Sequence, residues 1–276
     1  LINPSALLGP VTIADSGNAA DTDYLVQAAS EGADNVTVNS SGISGMSANL
    51  SAFLGFTGLE GLGLDLLGGN DTISVSGVPN GFALAVYGSG GNDSVFVSNL
   101  SGLPNYTLRF FGMDGTDSVT LDASAGNSGT LTDSTLSGFG LLKTLIYETF
   151  ENITLNLGGG DDTLVVDSSD NNTTVNGNNG NDTFHVNMTD GTTTINGGNG
   201  AETFHINNTG STTTLNGDAD NDIFHVNMVG GTTTINAEHA ERAEKSSSAG
   251  SAVSALIVDN APPFDPKGRT FLDAVT

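Results

Sequence analysis

Residues 161–180 read DDTLVVDSSDNNTTVNGNNG, residues 181–200 read NDTFHVNMTDGTTTINGGNG, and residues 201–220 read AETFHINNTGSTTTLNGDAD. Residues 221–236, NDIFHVNMVGGTTTIN, start the same register again, so Leu157–Asn236 carries a 20-residue period. One column of the repeat is Asp162, Asp182, Glu202 and Asp222. A second is Leu164, Phe184, Phe204 and Phe224, and a third is Val175, Ile195, Leu215 and Ile235. A unit this short cannot bury an apolar face alone, so copies must stack on one another as a solenoid. The period also sets one carboxylate per rung at one height on one edge.

Each unit holds two strands and two turns. In Asp182-Thr183-Phe184-His185-Val186, period-two alternation sends Phe184 and Val186 to one face and Thr183 and His185 to the other. The apolar pair goes inward and the histidine to solvent. Thr192-Thr193-Thr194-Ile195 is the second strand, with Thr193 and Ile195 sharing a face. Asn196–Gly200 and Asn187–Gly191 are turn chemistry, rich in Gly, Asn and Asp. The expected fold is all-β, a flattened right-handed parallel β-solenoid with a thin core; the hand follows from the general preference of parallel crossovers.

Outward from that block the pattern loosens. Residues 1–30 are irregular apart from Val11-Thr12-Ile13, and read as a cap or docking segment. Residues 31–156 read as an irregular solenoid. Strands there open on an acid at Asp34, Asp71, Asp93 and Asp117, at spacings of 37, 22 and 24 residues, which implies loops spliced into single coils. Asn152–Asn156 leads into the regular block, 157–236. Residues 237–276 leave the repeat: Glu238–Glu244 reads as a short helix, Ser246–Ser254 as a link and Leu256–Val258 as a strand, together a cap or docking tail.

The charge balance narrows the partners. Among 276 residues, 31 acids face six bases, a formal charge of −25. Residues 1–236 hold 25 acids and two bases, Arg109 and Lys143, for −23. Nucleic acid and anionic membrane both need a basic face, so neither is an expected partner; divalent cations are. No apolar run approaches the roughly 20 residues that span a bilayer. Without cysteine there are neither disulfides nor Cys–zinc sites. The chain starts at Leu1 with no signal peptide and reads as a piece of something larger. The Asn/Thr-rich acidic composition points to the cell surface or the medium.

Gly197-Gly198-Asn199-Gly200-Ala201-Glu202-Thr203-Phe204-His205 resembles the nonapeptide of the haemolysin-type (RTX) calcium-binding β-roll, and Gly177–His185 and Gly217–His225 are degenerate copies. Shorter echoes end at Asp71, Asp93 and, through Asp161, at Asp162. The resemblance implies Ca2+ held between turns by Asp161, Asp162, Asp182, Glu202, Asp218, Asp220 and Asp222, with Gly177, Gly180, Gly197, Gly200 and Gly217 supplying carbonyls, and Asp71 and Asp93 in the echoes. The chain is similar more loosely to repeat segments of large bacterial surface and adhesin-like proteins. Two features depart from the family. The motif recurs every 20 residues instead of about nine, so one edge at most holds metal, and Glu202 stands where Asp is usual. Independently of the family, like charges about 4.8 Å apart repel by on the order of 1 kcal/mol in water and more where water is excluded. Calcium, which takes six to eight oxygens, would relieve this; solvated acids that merely open strands are the alternative.

Three further columns stand out. His185, His205 and His225 stack outward, a pH-sensitive column near 6.5 or a transition-metal site. Thr192/Thr194, Thr212/Thr214 and Thr232/Thr234, with Asn172/Thr174, resemble the Thr-x-Thr face of ice-binding solenoids, although Thr is also simply a good outward strand residue. Sequons such as Asn35-Val-Thr37, Asn105-Tyr-Thr107, Asn152-Ile-Thr154, Asn187-Met-Thr189 and Asn207-Asn-Thr209 would be glycosylated where the compartment permits. Catalytic residues break a repeat, and here acids and histidines obey it. The expectation is therefore a non-enzymatic extracellular structural module: surface layer, stalk, adhesin segment or filament subunit. Its partners would be further copies, through exchange of terminal strands, or neighbouring domains of a larger surface protein, with glycans as a further ligand class. The alternatives are an ice-binding solenoid and a glycan-binding or polysaccharide-active β-helix.

Overall fold

The computed structural model describes residues 11–12, 24–46, 54–55, 59–100, 106–123, 127–227, 230–236, 242–245 and 255–259. The chain is an all-β solenoid of parallel stacked coils. It divides into two compact units, one of Leu1–Ser124 with Ser134–Thr154 and one of Ala125–Asp133 with Leu155–Thr276. Among the described residues no helix is long and apolar enough to cross a membrane.

The second unit contains the regular block. Ser128–Leu131, Thr163–Val166, Thr183–Val186, Thr203–Ile206, Ile223–Val226 and Arg242–Lys245 pair in that order, all parallel. Asn172–Asn179, Thr193–Asn199, Thr213–Ala219, Thr232–Asn236 and Ala255–Asp259 form the facing ladder. The 20-residue register brings Phe184, Phe204 and Phe224 into one buried stack, with centroids 4.9 and 4.5 Å apart. Val175, Ile195, Leu215 and Ile235 close the core from the other sheet. The alternation is as expected, with Phe and Val inside and His outside.

Inward threonines finish the layer. Thr173, Thr193, Thr213 and Thr233 are buried; three of them join hydroxyls, Thr173 with Ser169 (2.6 Å), Thr213 with Thr189 (3.0 Å) and Thr233 with Thr209 (2.9 Å), and Thr193 donates to the Gly191 carbonyl. Neutral hydroxyl pairs therefore line one edge of the core. Outside, amides run in ladders: Asn176, Asn196, Asn216 and Asn236 each donate to the amide oxygen one coil before at 2.5–2.8 Å.

In the first unit Asn35–Asn39, Thr72–Val75, Ser94–Val97 and Ser118–Asp122 are parallel neighbours. Gly42–Ser44 folds back antiparallel between Asn35–Asn39 and Leu54–Gly55, and the latter pairs with Val11–Thr12. Tyr24–Ala28, Gly61–Asp65, Ala83–Tyr87, Thr107–Phe111 and Leu145–Glu148 form the facing parallel ladder, with Thr135–Gly138 antiparallel on its last strand. Its coils step by 37, 22 and 24 residues.

Two expectations are corrected. The connection expected at Asn196–Gly200 is strand as far as Asn199, because Gly198 and Asn199 pair in register with Asn178 and Asn179 of the coil below. The helix expected across Glu238–Glu244 is not formed at its end: Arg242–Lys245 is a strand laid on Ile223–Val226, since an available edge outcompetes four residues of weak helix. Ser246–Ser254 lies outside the described residues.

Candidate functional site

The acid column opens strands in both units, and it lies inside the protein. Asp34, Asp71, Asp93, Asp117, Asp162, Asp182, Glu202 and Asp222 are all 0–4 % exposed. An Asp side chain leaving a turn just before an inward-alternating strand points into the end of the core, and the coils above and below shut out water.

Six of the buried acids, Asp71, Asp93, Asp117, Asp162, Asp182 and Asp222, each accept through Oδ1 from the coil before. The backbone N–H of Asp34 donates to Asp71 Oδ1 at 2.7 Å, that of Asp71 to Asp93 Oδ1 at 2.8 Å, and that of Asp93 to Asp117 Oδ1 at 2.7 Å. Asp117 N–H donates to Glu151 Oε2 at 2.6 Å. In the second unit Asn127 N–H donates to Asp162 Oδ1 (2.6 Å), Asp162 N–H to Asp182 Oδ1 (2.8 Å) and Glu202 N–H to Asp222 Oδ1 (2.9 Å). The residue before the acid makes the opposite link. Asn92 N–H donates to Asn70 Oδ1, Thr116 N–H to Asn92 Oδ1, Asn181 N–H to Asp161 Oδ1 and Ala201 N–H to Asn181 Oδ1, all at 2.8–2.9 Å. Two successive residues thus stitch neighbouring coils in both directions, one inside and one at the surface.

One carboxylate oxygen per rung is left over. Oδ2 of Asp71, Asp93, Asp117, Asp162, Asp182 and Asp222, and both oxygens of Glu202, are buried with no hydrogen-bond partner. Glu202 carries one methylene more than its neighbours and seats neither oxygen on a donor. In five rungs the orphan faces a glycine five residues earlier. A Cβ on Gly88, Gly112, Gly177, Gly197 or Gly217 would collide with the carboxylate of Asp93, Asp117, Asp182, Glu202 or Asp222, respectively. In four of those rungs a backbone carbonyl of the next coil (Gly112, Thr149, Gly197 or Gly217) crowds the same point. Two acceptors meet there, and both are oxygen.

An unpaired buried carboxylate is costly in its charged form. Burial raises the pKa of Asp93, Asp117, Asp162 and Asp222, and raises Asp71 and Asp182 to about 6. The backbone N–H bond opposes the rise in each case without cancelling it. Glu202 goes to about 9, through burial first and then the adjacent Asp222. A proton or a hard cation at a rung would relieve that cost.

The donor set is all oxygen, which suits calcium and not a transition metal. The rungs offer one or two orphan carboxylate oxygens, in four rungs with a backbone carbonyl at the same point, and no group of three or more acidic or histidine side chains forms a cage among the described residues. A bound calcium would take most of its ligands from the backbone.

Of the residues expected to act together, Asp71 and Asp93 line the inner column of the first unit, and Asp162, Asp182, Glu202 and Asp222 that of the second, with Gly177, Gly197 and Gly217 against it. Asp161 belongs to the surface ladder. Gly180 and Gly200 hold left-handed backbone at φ 133° beside it. Asp218 and Asp220 are exposed and adopt the same left-handed region, at φ 65° and 73°. Both raise the pKa of Asp222 by charge. Asp34, Asp117 and Glu151 complete the ladder and were not anticipated as site residues, although Asp34 and Asp117 open strands in the same alternation.

The histidines stack outward, with centroids 4.7 and 4.8 Å apart and planes within 7° and 10°. Parallel rings cannot aim two nitrogen lone pairs at one ion, so the transition-metal alternative is set aside. Burial, then the charges of His185 and His225, lowers the pKa of His205. Thr192 and Thr212 are exposed and Thr194, Thr214 and Thr234 half-exposed, in register. No protein-family model matches the chain, and no curated protein matches it.

Proposed function

We propose that this chain is a non-enzymatic structural module of a secreted or cell-surface protein, a stalk, surface-layer, adhesin or filament segment, whose coils are clamped by calcium at the buried acid ladder. The observation carrying this reading is the row of orphaned carboxylate oxygens at nearly every rung, five of them against glycine backbone. A dry row of unpaired carboxylates serves no purpose as a hydrogen-bond network, since one oxygen already does that work. A cation that appears only outside the cell would turn the row from a liability into a clamp, by neutralising charge at the moment of folding. The strongly acidic composition and the scarcity of cations near the acids support the same reading.

Calorimetric melting of the full chain at pH 7.5, in calcium and in excess chelator, tests it. Calcium is expected to raise the melting temperature and sharpen the transition, and coincident curves would remove calcium from the account. Self-association by strand exchange is a separate proposal. Val11–Thr12 and Ala255–Asp259 already pair within their own units, so exchange would swap existing pairings between copies. Sedimentation of chains lacking residues 1–14 or 255–276 tests that proposal, and assemblies that survive both deletions would end it.

A further inference from the structure

Arg109 and Lys143 are the two Lys/Arg residues of residues 1–236, and both reach the outer face of Thr107–Phe111 in the first unit. Lys143 Nζ donates to Thr107 Oγ1 at 3.2 Å, and Thr107 and Arg109 share that face of Thr107–Phe111. The Arg109 guanidinium lies 5.5 Å from the centre of the Phe111 ring. Phe111 in turn stacks on Tyr87 of the neighbouring strand, with centroids 4.9 Å apart and planes within 6°. Glu148 sits 4.0 Å from Arg109, and both side chains are 47 % exposed.

In its own row the stack is flanked by Asp65, which registers with Tyr87, and by Glu148, which registers with Phe111; two residues back along the strands the sheet is bare. Arg109 registers with Ala85, and Ala85 with Gly63, while Val26 stands beyond them, 54 % exposed. A Cβ on Gly63 would have ordinary room, so the small residues leave a shallow trough between Arg109 and Val26, with the row of Asp65, Tyr87 and Phe111 alongside it.

Cross-strand aromatic pairs stabilise a sheet by about 0.2–1 kcal/mol, and that alone would account for Tyr87 and Phe111. It does not account for both cations of residues 1–236 lying on the same face. An open trough beside a rigid aromatic platform with a cation over it is the chemistry of ring recognition. The electron-rich ring faces attract the C–H edges of a sugar, and a guanidinium takes a carboxylate through two parallel bonds. The exposed pair with Glu148 is weak, so Arg109 can turn to a ligand. Net charge does not forbid an anion here, because exposed charges beyond about 8 Å are largely screened at physiological ionic strength.

We propose that this face binds an acidic polysaccharide, with a sugar ring laid on the Tyr87–Phe111 stack, its carboxylate held by Arg109 and Lys143, and its hydroxyls bonded to Glu148. This does not rest on the calcium reading.

Titration calorimetry of the full chain in calcium-containing buffer, with a hexamer of uronic acid too short to gel and a neutral hexasaccharide of matched length, tests the proposal. The uronate is expected to bind and the neutral sugar to bind at least roughly tenfold more weakly, the scale of one charge-assisted contact. Arg109→Gln and Phe111→Leu are each expected to weaken uronate binding by about tenfold, and Lys143→Gln by less. Phe111→Leu retains apolar cover, and circular dichroism verifies that each variant is folded. Absence of uronate binding, or equal binding of the neutral hexamer, would overturn the proposal. So would loss with Arg109→Gln but not with Phe111→Leu, which would mean a charge patch suited to acidic peptides.

Discussion

The two units solve one stacking problem with different amounts of regularity. Within residues 157–236 of the second, coils step by 20 residues and most columns repeat their residue type; in the first, coils step by 37, 22 and 24 residues and the outer faces repeat little. Both nevertheless carry the same two-residue stitch, an inner carboxylate accepting from the coil before it and an outer side chain accepting from the coil after it. Coil length is therefore free to vary wherever the insertion avoids the stitch. The rung needs only an acid at the mouth of an inward strand and a backbone N–H beneath it. The exact repeat adds something else, the stacking of like on like: phenylalanine inside, and histidine, threonine and asparagine outside.

The largest expected difference between the units lies in that stacking. Phe204→Ala opens a cavity between Phe184 and Phe224 in a thin core, and should cost about 3–5 kcal/mol in denaturant unfolding. Removing an outward aromatic of the first unit, as in Phe96→Ala, where the side chain is 44 % exposed, should cost well under half of that. Equal costs would show that the regular stack is no tighter than the ragged one.

The stitch should behave alike in both units. Asp182→Ala and Asp93→Ala each leave a buried N–H without an acceptor, and should cost about 1–3 kcal/mol. Asp182→Asn keeps an acceptor and removes the charge. At neutral pH it should therefore leave stability unchanged or higher in chelator, and lower it in calcium. A loss of the same size in both media would mean that the charge has no ion to hold.

The acid dependence carries a definite sign. Asp71 and Asp182, raised to about 6, hold their protons more tightly folded than unfolded. Their contribution is full below the ordinary carboxylate range, near 4, and is lost as pH rises through 6. In chelator the chain should thus become less stable from pH 4 to 7, and calcium should flatten that fall by taking the proton's place. Glu202→Gln should remove a further loss extending towards pH 9. His205 acts oppositely: its lowered pKa contributes stability above about 6.5 that is lost as pH falls. His205→Gln should flatten only the acid limb, to be read from melting temperatures across pH.

The smallest effect is expected at the surface. Asn207 sits in an exposed ladder, bonded at 2.9 Å to Asn187 and at 2.8 Å to Asn227. Asn207→Ser should cost no more than about 1 kcal/mol.

Much of this was legible beforehand. The 20-residue period dictates stacking, and alternation in Asp182–Val186 assigns Phe184 inward and His185 outward without any structure. Asp34 and Asp117 open strands like the rest and could have been read as rungs. The second sheet of the first unit was harder. Gly61–Asp65 and Ala83–Tyr87 are built of small and apolar residues that alternate weakly, and only the partner strand fixes them. Burial of the acids was not legible either. Sequence shows a carboxylate at a turn, and whether it points to water or into the mouth of the core depends on the coil above. The Tyr87–Phe111–Arg109 face is assembled by coils of unequal length, so no sequence spacing announces it.

Calcium titration of the full chain by calorimetry at pH 7, repeated in buffers of different ionisation enthalpy, is the most direct test of the ladder. Saturable binding with release of a proton, weakened by Asp182→Asn, is the predicted result, because the ion must displace the proton that Glu202, raised to about 9, holds at pH 7. Absence of calcium binding, or binding with no proton release that is indifferent to Asp182→Asn, would contradict the clamp and leave the buried acids as carriers of protons alone.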